Sequence, residues 1–131
     1  MLSNLKIVRL RNFIKISPQG TIDLKAAKEV VMKIASFNDA FSEYDVLIDT
    51  RGAESHLSVF QIWEIAKDLA EAVHSGSPKG FNAKIAVICP VERFDYAKFL
   101  ELCSLNRGLN VHAFTLFEDM FEWLSETSTP G

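Results

Sequence analysis

No apolar run in this chain is longer than a few residues, far below the ~20 needed to cross a bilayer, so no integral membrane segment is expected. Cysteine is scarce. Cys89 and Cys103 are too few for a disulfide framework, and a reducing cytoplasm is the expected compartment. Basic charge is not in excess: 14 Lys and Arg against 17 Asp and Glu leave a net charge of −3, which gives no electrostatic reason to expect nucleic acid. There is no Gly-rich phosphate loop, no His-Glu-x-x-His and no Gly-x-Ser-x-Gly. The three histidines, His56, His74 and His112, do not combine with either cysteine at ligand spacing, so neither a metal nor a cofactor is expected. The amino-terminal MLSNLKIVRLRN interrupts its apolar positions with charge and offers no small-residue cleavage site, so it does not read as a secretory signal.

What is present reads as one folded unit. A chain of 131 residues, 48% apolar with ten Phe, buries roughly two thirds of its unfolded surface and needs no disulfide or metal to hold a core. The expected domain is 1–126, with 127–131 a frayed tail. Leu5–Leu10 and Phe13–Ser17 alternate apolar and polar residues around Arg11-Asn12, which predicts a hairpin that Pro18-Gln19-Gly20 breaks. Lys6, Arg9, Arg11 and Lys15 then fall on its solvent side.

A helix is predicted over Leu24–Ser36, with Asp23 as N-cap and Leu24, Ala27, Val31, Ile34 and Ala35 as its packing stripe. Val46-Leu47-Ile48 is a continuous apolar run, as in a strand covered on both faces. Asp49-Thr50-Arg51-Gly52 follows as a loop, with Gly52 expected to supply an unusual backbone conformation. Ser58–Val73 reads as a helix with Val59, Ile62, Trp63, Ala66, Leu69, Ala70 and Val73 inward, opened by a Ser58-x-x-Gln61 capping box.

Lys84–Cys89 is a second buried strand, ended by Pro90. A third helix runs over Arg93–Asn106 with Tyr96, Phe99, Leu100 and Cys103 inward, and Gly108 terminates it. Val111–Phe114 is the last strand, and Thr115-x-x-Glu118 caps a closing helix. The order ββαβαβαβα requires right-handed crossovers and a mostly parallel α/β sheet.

This order resembles the STAS domain, typified by bacterial anti-sigma-factor antagonists. Gly20-x-Ile22-Asp23 is similar to the end of that family's second strand, and Val46-Leu47-Ile48-Asp49 to its central strand. Val111-x-x-Phe114 and Phe121-x-Trp123-Leu124 are similar to its last strand and closing helix. Asp49, Arg51, Gly52 and Trp63 resemble a divergent branch related by fold to the CRAL-TRIO lipid carriers. The region Ser55-His56-Leu57-Ser58-Val59 lacks the Asp-Ser pair and the Gly of the phosphorylated antagonists' motif.

The candidate contact residues are Asp49, Arg51, Gly52, Glu54, His56, Ser58 and Phe60, at the carboxyl end of the central strand where open α/β sheets bind ligands. Asp49 and Arg51 read equally as contacts or as a local pair holding the turn. Ser58 is a candidate phospho-acceptor, or a plain N-cap. Cys89 reads as a structural, inert thiol. Phe60, Phe94, Leu102 and Leu105, with Phe37 and Phe41, are apolar residues beyond the packing stripes, which fits a thick core, an interface or a ligand site. The expectation is a non-enzymatic cytoplasmic regulatory module engaging a protein partner or a second copy of itself. As the resemblance implies, the alternative is a carrier or sensor of a small hydrophobic, lipid-like molecule, docking at a membrane surface.

Overall fold

The computed structural model describes residues 2–9, 13–36, 45–76 and 84–126. The predicted positions Arg11, Phe37 and Phe41, and the tail 127–131, lie outside the described residues. The strands are β1 (Leu2–Arg9), β2 (Phe13–Ile22), β3 (Asp45–Asp49), β4 (Ala53–Ser55), β5 (Lys84–Ile88) and β6 (Asn110–Phe114). The helices are α1 (Leu24–Ser36), α2 (Val59–Gly76), α3 (Phe94–Leu105) and α4 (Phe117–Ser125), with a 3-10 turn, Val91–Arg93, leading into α3.

The sheet runs β1-β2-β3-β5-β6, with β1 antiparallel to β2 and the remaining pairs parallel. This is the expected α/β architecture, with β3 at its centre. Two local departures share one cause. Pro18-Gln19-Gly20 does not break the hairpin: β2 runs on to Ile22 because β4, unforeseen, pairs with its second half. Phe13 pairs with Asp45 but Gly20 pairs with Ala53, so the chain gains one residue between β3 and β4. The extra residue lies in the turn that the Ala53 N–H closes on the Thr50 carbonyl, and Pro18, which has no N–H to donate, falls in the stretch of β2 between the two ladders. Gly20, at φ 96, takes a backbone conformation that favours glycine.

Strand alternation divides the interior in two. Ile14, Ile16, Val46, Ile85, Val87 and Val111 face α1, α2 and α3, where Val30, Ile34, Ile65 and Leu69 meet them. Leu47, Ala86 and Ile88 face the other way, against Met120 of α4, with Phe13, Phe114, Trp123 and Leu124 around them.

Helix ends largely follow local chemistry. The Ala26 amide donates to Asp23 Oδ1 at 2.8 Å, which holds that carboxyl below its ordinary value and caps α1. Gly108, at φ 81, closes α3 as predicted. Thr115 does not cap α4. The N-cap is Leu116, one residue later, with no side-chain cap, so the threonine is out of register for the predicted box. The stripe of α2 also shifts: Ile65 is buried, while Val59 and Trp63 are 52% and 39% exposed. On α3, Tyr96 turns outward at 48% exposure.

Candidate functional site

The residues after β3 separate onto the two faces of the sheet. Asp49 follows Leu47 on the α4 side, where Lys15 of β2 approaches it at 3.7 Å. Its carboxylate accepts from the Arg51 backbone N–H at 3.1 Å and from the guanidinium at 3.0 and 2.9 Å. Burial works to raise the Asp49 carboxyl, but the Arg51 hydrogen bonds and the Arg51 and Lys15 charges outweigh it, leaving the group below its ordinary value. The Arg51 pKa is raised in turn, chiefly by its hydrogen bond to Asp49. This is the geometry of a turn clamp. Gly52 departs from expectation: it is not among the positive-φ glycines, and a Cβ there would meet nothing within 4 Å. Neither backbone conformation nor space requires glycine at that position.

Beyond the turn, Glu54 and His56 stand out in solvent, 3.8 Å apart. Ser58 and Gln61 form the predicted capping box: the Gln61 amide donates to Ser58 Oγ at 3.2 Å and the Ser58 amide to Gln61 Oε1 at 2.9 Å. Phe60 is 67% exposed and stacks on Trp63 at 5.8 Å, with the Arg107 guanidinium over the Trp63 ring at 5.1 Å.

Thr50, Ser55 and Leu57 turn to the opposite face, and there they border a cavity of about 250 Å³. Its walls are Val30, Val31 and Ile34 of α1, Ile62, Ile65 and Leu69 of α2, and Ala97 and Leu100 of α3. Ile48 and Val87, at the carboxyl ends of two central parallel strands, form its floor with Cys89. An apolar cavity of ~150 Å³ holds benzene, so this volume scales to a body of about ten non-hydrogen atoms. Lys28 of α1 reaches across the outside to Glu64 and Asp68 of α2, at 3.1 and 3.6 Å.

Polar groups at the cavity come from the strand ends. Thr50 is locked in place, its backbone N–H and its hydroxyl each 2.9 Å from the Ile88 carbonyl. Arg93 donates to the Thr50 carbonyl at 2.7 Å. Cys89 is 3% exposed, and its thiol lies 3.7 Å from the Phe114 carbonyl. Burial pushes this thiol above its ordinary value and the Arg93 charge opposes the shift only in part, so the thiolate is disfavoured at neutral pH.

A second polar group was not foreseen. Glu101 is buried on α3 and reaches round the sheet edge to accept the Ala113 N–H of β6 at 2.8 Å. Lys98 donates to its other oxygen at 2.7 Å, and His112 Nδ1 lies 3.6 Å away with its ring against Trp123. Glu101 thus occupies a donor on an edge strand that would otherwise invite strand addition. Its position between Leu100 and Leu102 carries no local sign of this, because the acceptor is needed only once β6 lies alongside.

Among the described residues no group of three or more His, Cys, Asp or Glu is placed to hold a metal ion, and no helix is long and apolar enough to cross a membrane. No protein-family profile matches the chain, and no curated protein matches it. Among solved structures it is similar to an uncharacterised protein of the DUF3478 family from Shewanella loihica PV-4, described as having a SpoIIAA-like fold. The TM-score is 0.52 at 16% identity, covering 92% of each chain. The fold is therefore SpoIIAA-like, the STAS-like architecture that the resemblance implied. The relationship to CRAL-TRIO carriers is not shown by this likeness.

Proposed function

We propose that this protein is a non-enzymatic cytoplasmic binding module that takes up one small, predominantly apolar molecule between the sheet and helices α1, α2 and α3. The observation that carries the reading is the cavity of about 250 Å³ at the carboxyl ends of β3 and β5. Ligand sites in open α/β sheets sit at that end. A regulatory module that used only its outer surface would have no need of this void, which forfeits dispersion contacts along its whole lining. Calorimetric titration with 1-octanol tests it: one saturable site per chain is expected. Absence of saturable binding to the folded protein sinks the reading.

A second reading rests on a separate observation. Val59, Phe60 and Trp63 are exposed at the start of α2, and Leu102 and Leu105 are 56% and 42% exposed on α3. Such a patch suits a protein partner or a second copy of the chain. Burying Phe60 there is worth up to ~3 kcal/mol by area before association entropy is subtracted. Phe60→Asp is expected to weaken self-association in sedimentation velocity without altering the fold. A wild-type protein that stays monomeric at high concentration excludes the homodimer.

A further inference from the structure

Among the described residues the cavity lining carries a single charged side chain. Arg93, the last residue of the 3-10 turn before α3, is half-buried at its edge. A guanidinium carries five N–H donors and remains charged at any physiological pH. One donor is used on the Thr50 carbonyl, and among the described residues no carboxylate pairs with the rest. The same contact orients the group, since Thr50 is itself pinned to the end of β5. The Arg93 charge also opposes, in part, the upward shift that burial imposes on the Cys89 thiol on the cavity wall. Ser55 and Tyr96 also border the space. An apolar chamber with one oriented, unpaired cation at its edge matches a ligand with an apolar body and a negative end.

We infer that the molecule held here is an anionic amphiphile of about ten non-hydrogen atoms, its carboxylate-like head on Arg93 and its tail beneath α1, α2 and α3. This rests on the cavity being a ligand site, and it adds the charge class of the ligand and the residue that reads it. A neutral amphiphile could accept a hydrogen bond but would offer the guanidinium no opposite charge, and a cationic one would be repelled.

The test compares octanoate, 1-octanol and octylammonium by calorimetry at neutral pH, on the wild type, Arg93→Gln and Arg93→Lys. Octanoate is expected to bind about tenfold or more tighter than octanol, and octylammonium more weakly than either. In Arg93→Gln the preference for octanoate over octanol should disappear. Arg93→Lys should keep the preference for octanoate. Equal binding of octanoate and octanol by the wild type overturns the assignment of Arg93 and leaves the cavity reading intact. Failure of all three to bind the folded wild type removes both. The head-group comparison needs only the wild type, so a variant that fails to fold does not blunt it.

Discussion

The sheet has two unlike faces. Three helices cover one, against Ile14, Ile16, Val46, Ile85 and Val111, and a void remains between them. A single helix covers the other, and its Met120, fully buried, closes tightly on Leu47, Ala86 and Ile88. The heavier cover is the looser one. Helices α1, α2 and α3 must each pack on a twisted sheet and on one another, and small side chains such as Ala27 and Ala97 at the junctions do not fill the gap. Among the described residues helix α4 packs on the sheet and settles onto it, leaving Leu116, Phe117 and Phe121 exposed. Packing density therefore follows how many surfaces an element must satisfy at once.

Truncation on the dense face should produce the largest effect. Met120→Ala removes the one buried residue of α4 and is expected to destabilise the protein by roughly 2–5 kcal/mol, read from urea unfolding. A loss below ~1 kcal/mol would mean that α4 is not a working part of the core. Overpacking should then separate the faces. Ala86→Leu, at a fully buried position on the α4 side, is expected to cost roughly 1–3 kcal/mol, because the added atoms must enter among Leu47, Ile88 and Met120.

Ala97→Leu, on the cavity wall, should do the reverse. It is expected to stabilise the unliganded protein by about 1 kcal/mol and to weaken octanol binding, as checked by thermal unfolding and calorimetry. If the two substitutions destabilise alike, the contrast in packing between the faces does not exist.

The smallest effect belongs to the clamp at Asp49. Its carboxyl is depressed below the ordinary 3.8, so its stabilising contribution is complete above that value and disappears as pH falls through the lower folded value. The pair is screened, with Arg51 44% exposed, so Asp49→Asn should cost under about 1 kcal/mol at neutral pH. Wild type and variant should converge in stability in strong acid, once the pH has fallen through the lowered folded value. A gap that persists into strong acid would mean that Asp49 acts by packing and not by charge.

Local pattern carried the elements a long way. The unbroken Val46-Leu47-Ile48 and Lys84–Cys89 runs mark strands buried on both faces, and the Asp23 and Ser58-x-x-Gln61 signals mark helix starts whose hydrogen bonds close within three residues. The shortfalls are all non-local. Ala53-Glu54-Ser55 has no strand-like composition and becomes β4 only because the second half of β2 offers a ladder. Helical periodicity put Val59 and Trp63 on the inward side, but the direction of α2 over the sheet was not in the periodicity, and both turned outward while Ile65 turned in. Among the candidate contacts, Asp49 and Arg51 read equally as contacts or as a local pair at the end of the central strand, and their side chains do pair. Their placement opposite the cavity depends on which way the alternation of β3 falls.

The sequence by itself determined the fold class, the strand and helix order, the central place of β3 and the inertness expected of Cys89. These rest on apolar runs, caps and breakers, whose energies are set within a few residues. Tertiary structure alone decided that Arg93 would border one space with Thr50 and Ser55, some forty residues earlier in the chain, and that Glu101 would meet Ala113 across the sheet edge. A cavity is a place where side chains fail to meet, and that failure exists only when several elements have been docked at once.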